Sequence, residues 1–336
     1  PGAPETVADG HPALLPNGVL YHADWHKAED GIHRHARESM LALAAVGVPV
    51  RSHQVSAAPQ QLVPQDVEDA VGWMRNVSLS SSSVAIRHGI FSAHALRAVV
   101  LGAGRHLPYE AQRQVLANTI ICTSWERDRV AADAVEMLNE LREVWVPCEA
   151  NRVAFERSGV ARVFVIPCPY QPSAASSAAF ALPRGTGETP PGRRFYHIGK
   201  WEPRKDQVAL LRAFLRAFTP EDRALLTIKT SEWGSWENYA SIHDAKRECA
   251  QDPIIRGNGW TADALRRSVQ IIDRKLSAAD IMLLHKNHNI YVSPSHGEAW
   301  DLPAFDAKCA GNRLVHVGYG GSEDYAEPGD VTVPHA

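Results

Sequence analysis

The chain has 336 residues with 45% hydrophobic and 22% charged side chains, the composition of a folded globular protein, long enough for about two domains at ~100–200 residues each. Lys plus Arg number 35 against 38 Asp plus Glu, a formal charge of −3, which excludes the global basic field that drives binding to nucleic acid. Cys122, Cys148, Cys168, Cys249 and Cys309 are scattered and odd in number, so no disulfide framework or paired zinc-ligand spacing is legible, and they read as thiols of a reducing compartment.

In chain order, strand-length apolar runs alternate with segments of helical period. Gly18 to Trp25 is strand-like, and Ile32 to Gly47 is a helix with Gly31 at its start and a glycine stop. Val48 to His53 is a strand. The longest apolar run, Leu41 to Val50, is too short to span a bilayer and ends in a Gly/Pro break. Val99 to Leu107 imitates a dinucleotide fingerprint, but Leu107 stands where the third glycine belongs and Pro108 follows, so it reads as a loop. Thr119 to Ser124, Glu143 to Pro147 and Val163 to Pro167 read as strands separated by helices. The Asn76-Val77-Ser78 sequon carries no weight in a cytosolic protein, and no secretory leader is legible.

Residues 172–194 are rich in Ala, Ser, Pro and Gly and read as a linker or long loop between a first domain, 1–171, and a second, 195–336. The second domain repeats the unit more sharply. Phe195–Gly199 is a strand, Val208–Phe218 a helix, Leu225–Thr230 a strand. Ser277–His288 is a helix, Asn289–Ser295 a strand, Ala304–Asn312 a helix closed at Gly311, and Leu314–Gly318 the next strand. Such alternation is that of parallel α/β layers. The chain opens at Pro1 without a methionine and stops at Ala336 just after the strand-like Val331-Thr332-Val333, so both ends read as trimmed.

Two segments carry chemistry. Gly199 to Asp206 lies between a strand and a helix and gathers Lys200, Arg204 and Lys205 where backbone N–H groups already favour an anion such as a diphosphate. The alternative is a solvated basic turn. It is not a P-loop, because Trp201 stands where a magnesium-binding Ser or Thr is required. His296 to Gly311 runs from a strand end into a helix and places Glu298 in the loop and Asp306 about two turns in. Alone, such a pair reads better as a loop acid near a cap and an exposed helix acid than as a ligand-gripping pair. His22, His26, His33 and His35 form a His-rich stretch without a common face, read as a polar edge, and His88, after a strand, reads as structural.

Together and in this order, Gly199-Lys200-x4-Lys205 and Glu298-Ala299-Trp300-Asp301-Leu302-Pro303-x2-Asp306-Ala307-x3-Gly311 resemble the motifs of glycosyltransferase family 4. The likeness is good over Arg194 to His335, moderate over Thr119 to Pro169 and thin before residue 100. It implies an α/β GT-B fold, two Rossmann-like domains facing across a cleft, the first on the acceptor side and the second holding a nucleotide-sugar donor. By the same resemblance Lys200 and Lys205, beside Gly199 and Arg204, neutralise the donor diphosphate, and Glu298 contacts the transferred sugar. The backbone of Ala299, Trp300, Asp301 and Leu302 binds the distal phosphate, and Asp306 the ribose. Gly31 and Glu126 are acceptor-side candidates.

The implied enzyme is a retaining, metal-independent hexosyltransferase that uses the nucleotide diphosphate sugar as substrate and needs no cofactor; the lack of any Asp-x-Asp agrees. Its acceptor would be a glycan, a lipid or a small molecule, and its place the cytoplasm, with peripheral contact to the inner membrane face left open. Three departures stand out: Asp306 replaces a Glu, Lys200 an Arg, and Ala299 and Asp301 replace glycines, narrowing the room beside the sugar. A nucleotide-sugar epimerase and a non-catalytic nucleotide- or carbohydrate-binding protein remain as alternatives.

Overall fold

The computed structural model describes residues 18–23, 31–54, 74, 83–89, 101, 106–170, 192–231 and 239–335. His26, Asn76, most of the Val99–Leu107 run and residues 172–191 of the linker segment lie outside them.

The chain divides into two compact units, one of residues 1–147 and 152–169, the other of residues 148–151 and 170–336. Each is built on a six-stranded, all-parallel sheet. The first unit's strands are β1 (Val19–Ala23), β2 (Val50–Gln54), β3 (Val84–His88), β4 (Thr119–Cys122), β5 (Glu143–Val146) and β6 (Val163–Val165). Their order is β2-β1-β3-β4-β5-β6. The second unit's are β7 (Arg194–Ile198), β8 (Leu225–Lys229), β9 (Val269–Ile272), β10 (Ile290–Ser293), β11 (Arg313–Val317) and β12 (Val331–Val333), in the order β12-β11-β10-β7-β8-β9.

The two orders differ in kind. Counting each unit's strands from its own start, the second runs 6-5-4-1-2-3, the order of a dinucleotide-binding sheet, whereas the first runs 2-1-3-4-5-6, the order of flavodoxin-like sheets. Both are doubly wound. Both have one point where the chain reverses its direction of travel across the sheet, and ligands bind outside the strand C-termini there. That point lies between β1 and β3 in the first unit and between β7 and β10 in the second.

Strand alternation sends neighbouring side chains to opposite faces, and each face has its own core. In the second unit Tyr196 and Tyr291, register partners, meet edge to face at 5.0 Å and pack with Ala304, Ala307 and Leu314. The two alanines let helix Leu302–Cys309 approach the sheet closely. The other face takes helix Gln207–Ala217, whose Val208, Leu211 and Leu215 recur at helical spacing and, with Leu210 and Phe214, are buried; each contributes roughly 1.5–3 kcal/mol. In the first unit helix Gly31–Ala45 lays Ala36 and Met40 on Val19, Tyr21 and Ile86, and the opposite core holds Ile121, Val144 and Leu138.

Several elements had no sequence reading: helices Tyr109–Ala117, Ile242–Gln251, Pro253–Gly257 and Ala262–Ser268, and strand β9. Helix Ile242–Gln251 is largely polar and packs only a narrow stripe of Ile242, Ala245 and Cys249 on the core, and the short helix Ala262–Ser268 buries Ala264. Among the described residues no helix is long and apolar enough to cross a membrane.

Candidate donor site

Both sequence motifs sit at the switch point of the second unit. The Gly199–Asp206 turn follows β7, and the Glu298 loop follows β10, the adjacent strand. Parallel pairing ends both strands on the same side, so residues far apart in sequence arrive together. The turns are also tied to each other: the His296 amide donates to the Arg204 carbonyl at 2.9 Å, and the Asp206 carboxylate lies 3.1 Å from the His296 imidazole. Asp206 itself caps helix Gln207–Ala217, accepting from the Ala209 amide at 3.2 Å.

Charge converges on Glu298. Lys205 Nζ contacts its Oε1, and Arg204 Nη1 lies 3.1 Å from the same oxygen. Arg204 also donates to the Gly297 carbonyl at 2.8 Å and pairs with Glu202 at 2.8 Å. Burial by itself would raise the Glu298 carboxyl, but Lys205 and Arg204 outweigh it and hold it below its ordinary value. Burial likewise would depress the Lys205 ammonium, and Glu298 and Asp301 reverse that. The pair is therefore ionised and nearly out of water, Lys205 being 9% exposed.

Asp301, where the family resemblance has glycine, adopts a left-handed backbone (φ 60°, ψ 68°), a region that Asp tolerates better than most residues. Its Oδ2 accepts from the Ser293 hydroxyl at the end of β10, and its Oδ1 is buried without a protein partner. Burial, followed by the Glu298 charge, pushes its carboxyl up to about 6.

A third loop closes on the motif. Gly321 donates to the Glu298 carbonyl at 3.1 Å, and a Cβ at Gly321 would stand 2.4 Å from the Ala299 oxygen and the Trp300 Cα, too close for any side chain. Tyr325 donates from its hydroxyl to the Trp300 carbonyl at 2.8 Å, and its ring lies 5.0 Å from that of the buried Trp300.

The remaining expected residues fall as follows. Gly199 directly follows β7 and its amide donates to the Lys229 carbonyl at 3.0 Å; Lys200 is exposed on the turn. Ala299 and Trp300 are buried in the loop, and Leu302 and Pro303 begin the helix. Asp306 is 4% exposed on that helix. Gly31 starts helix Gly31–Ala45, and Glu126 is exposed in the loop after β4, both in the first unit. Sequence reasoning missed Ser293, whose only signal was its place at a strand end, and Tyr325, which lies in a loop.

The structure resembles solved GT-B glycosyltransferases. HepE from Anabaena, solved in complex with UDP, aligns at TM-score 0.56 and 14% identity over 94% of this chain and 85% of that one. A glycosyltransferase from Rickettsia africae aligns at 0.55 and 11% identity, covering 94% and 84%. The E. coli trehalose-6-phosphate structure bound with UDP-2-fluoro glucose aligns at 0.52 and 12% identity, covering 91% and 85%. No protein-family model and no curated protein sequence matches the chain.

Proposed function

We infer the function of this chain from its fold, that of the GT-B glycosyltransferases, two doubly wound parallel α/β units. We propose that the chain is a glycosyltransferase that moves a sugar from a nucleoside diphosphate sugar to an acceptor, with retention at the anomeric carbon and without a metal ion or cofactor. The observation that carries this reading is the convergence of Lys205 and Arg204 on Glu298 at the switch point of the second sheet. In the transfer the anomeric C–O bond to the diphosphate breaks and its electron pair leaves with the nucleotide. The acceptor hydroxyl oxygen makes the new bond and gives its proton to the departing diphosphate oxygen. Negative charge then grows on the leaving diphosphate, and fixed cations held in a poorly hydrated site stabilise it most where it grows.

Lys205 and Arg204 are held for that task by the carboxylate between them, and a bound diphosphate competes with Glu298 for the same donors. Exposed Lys200 extends the positive rim. On the same reading the Ala299–Leu302 backbone takes the distal phosphate, Asp306 the ribose, and Gly31 and Glu126 the acceptor. The donor sugar would be a hexose.

The test is thermal shift of the purified chain against UDP, GDP and ADP and their sugar conjugates, without and with magnesium. UDP comes first because HepE was solved with UDP. A ligand that favours the folded state raises its melting temperature by mass action. A metal-independent rise for one nucleotide, lost in Lys205→Ala, is expected, followed by acceptor-dependent release of that nucleotide. Absence of any shift would overturn the reading, and release without an acceptor would mark an epimerase instead.

A further inference from the structure

In the first unit a different set of groups gathers where β3, at the switch point, meets the next strand, β4. His88 ends β3, Cys122 ends β4, and the two are direct register partners, so their side chains leave the sheet on the same face. Helix Gly31–Ala45 covers that face and brings His35 down onto them, its ring meeting that of His88 edge-on at 4.5 Å. All three residues are buried, at 5%, 7% and 4% exposure, and one ligand-capable atom from each lies within 4.8 Å of the other two.

Two of these groups are unsatisfied. Nε2 of His35 and Nε2 of His88 are buried without a hydrogen-bond partner, so each has lost its contact with water and gained none in return. A cation between them resolves both at once. We propose that His35, His88 and Cys122 bind a zinc ion.

The chemistry favours this ion over the hard divalent cations. Two imidazole nitrogens and one thiolate suit zinc, whereas magnesium and calcium take oxygen ligands. Zinc bonds of about 2.0–2.1 Å to nitrogen and 2.3 Å to sulfur put ligand atoms roughly 3.3–3.6 Å apart in a tetrahedron, so the cluster, within 4.8 Å without the ion, draws in on binding. A supporting contact is already in place. The Tyr21 hydroxyl lies 2.7 Å from His88 Nδ1; with that nitrogen protonated and donating to Tyr21, the Nε2 lone pair points at the metal. On binding, the Cys122 S–H bond gives its proton to solvent as the S–Zn bond forms. Three protein ligands leave the fourth position to a water or a ligand atom. The ion would pin the helix to β3 and β4 at the switch point. The assignment uses only residues of the first unit and stands whether or not the second unit transfers sugar.

The experiment loads the chelator-stripped full chain with cobalt(II), then with zinc. Expected are one cobalt per chain, tetrahedral d–d bands with a thiolate-to-cobalt charge-transfer band, displacement of both by zinc, and a melting temperature higher with zinc than with chelator. Cys122→Ser should lose the charge-transfer band and Cys309→Ser, at an exposed thiol, should keep it. His35→Gln should weaken binding at least tenfold. X-ray absorption of the zinc-loaded wild type, independent of how any variant folds, should report one sulfur and two imidazoles. A zinc shell without sulfur, no stoichiometric binding by the folded wild type, or a charge-transfer band intact in Cys122→Ser would each overturn the site.

Discussion

The two switch points occupy the same place in two sheets of similar construction and hold opposite chemistry. In the second unit Lys205, Arg204 and Glu298 are ionised together; in the first, burial lowers His35 to about 4, holds His88 well below its ordinary value and pushes the Cys122 thiol up to about 12, leaving all three neutral. The difference teaches that topology selects where side chains converge and not what they carry. A charge survives burial only with a partner of opposite sign, and groups without one stay neutral, available to a cation.

The largest expected effect tests the charged end directly. Lys205→Met leaves Glu298 buried with one cation fewer and should destabilise by about 3–5 kcal/mol, whereas Lys205→Met with Glu298→Met should recover most of that loss. Denaturant unfolding of the two variants measures this, and equal losses would break the contrast between the units. Next, Gly321→Ala forces a Cβ against the Ala299–Trp300 backbone and should cost about 1–3 kcal/mol while weakening nucleotide binding, read by the same unfolding assay and by titration with UDP.

A smaller effect is pH-dependent. The Asp301 carboxyl is raised from 3.8 to about 6, so within that window the folded chain holds the proton more tightly than the unfolded chain, and stability falls as pH rises. Asp301→Asn keeps a residue that tolerates the left-handed backbone and removes the titration. Calorimetry should show its melting temperature gaining on wild type as pH rises from about 4 to about 7. Parallel curves would mean that Glu298 and burial do not act on Asp301. Glu298, held low, works in the other direction, its contribution lost only as pH falls below its ordinary range. Smallest is the helix cap: Asp206→Ala should cost about 1 kcal/mol and Asp206→Asn a few tenths, since Asn still accepts from the Ala209 amide.

Much of the second unit was legible. The apolar stripe of Val208–Phe218 and the strand-length apolar runs of β8 and β10 are local signals, and they sit where the periodicity puts them; the helix read at Ala304–Asn312 runs instead over Leu302–Cys309. Lys205 and Glu298 were readable as a pair because two separate motifs, in order, resemble one family. The first unit's cluster was not. His35 belonged to a His-rich run that reads as a polar edge, His88 looked like a single histidine after a strand, and Cys122 like one thiol among five. No spacing links them, because parallel pairing of β3 with β4 and the packing of one helix bring them together.

By itself the sequence determined the alternation of strands and helices, the parallel sheets and the basic and acidic motifs, since these depend on periods of two and 3.6 residues and on short-range turns. The tertiary structure alone decided that the two sheets follow different strand orders, that Asp301 fills a left-handed position with its carboxylate on Ser293, and that two imidazoles and a thiol meet in the first unit. Each depends on contacts between segments far apart along the chain, and local periodicity carries no information about which strand lies beside which.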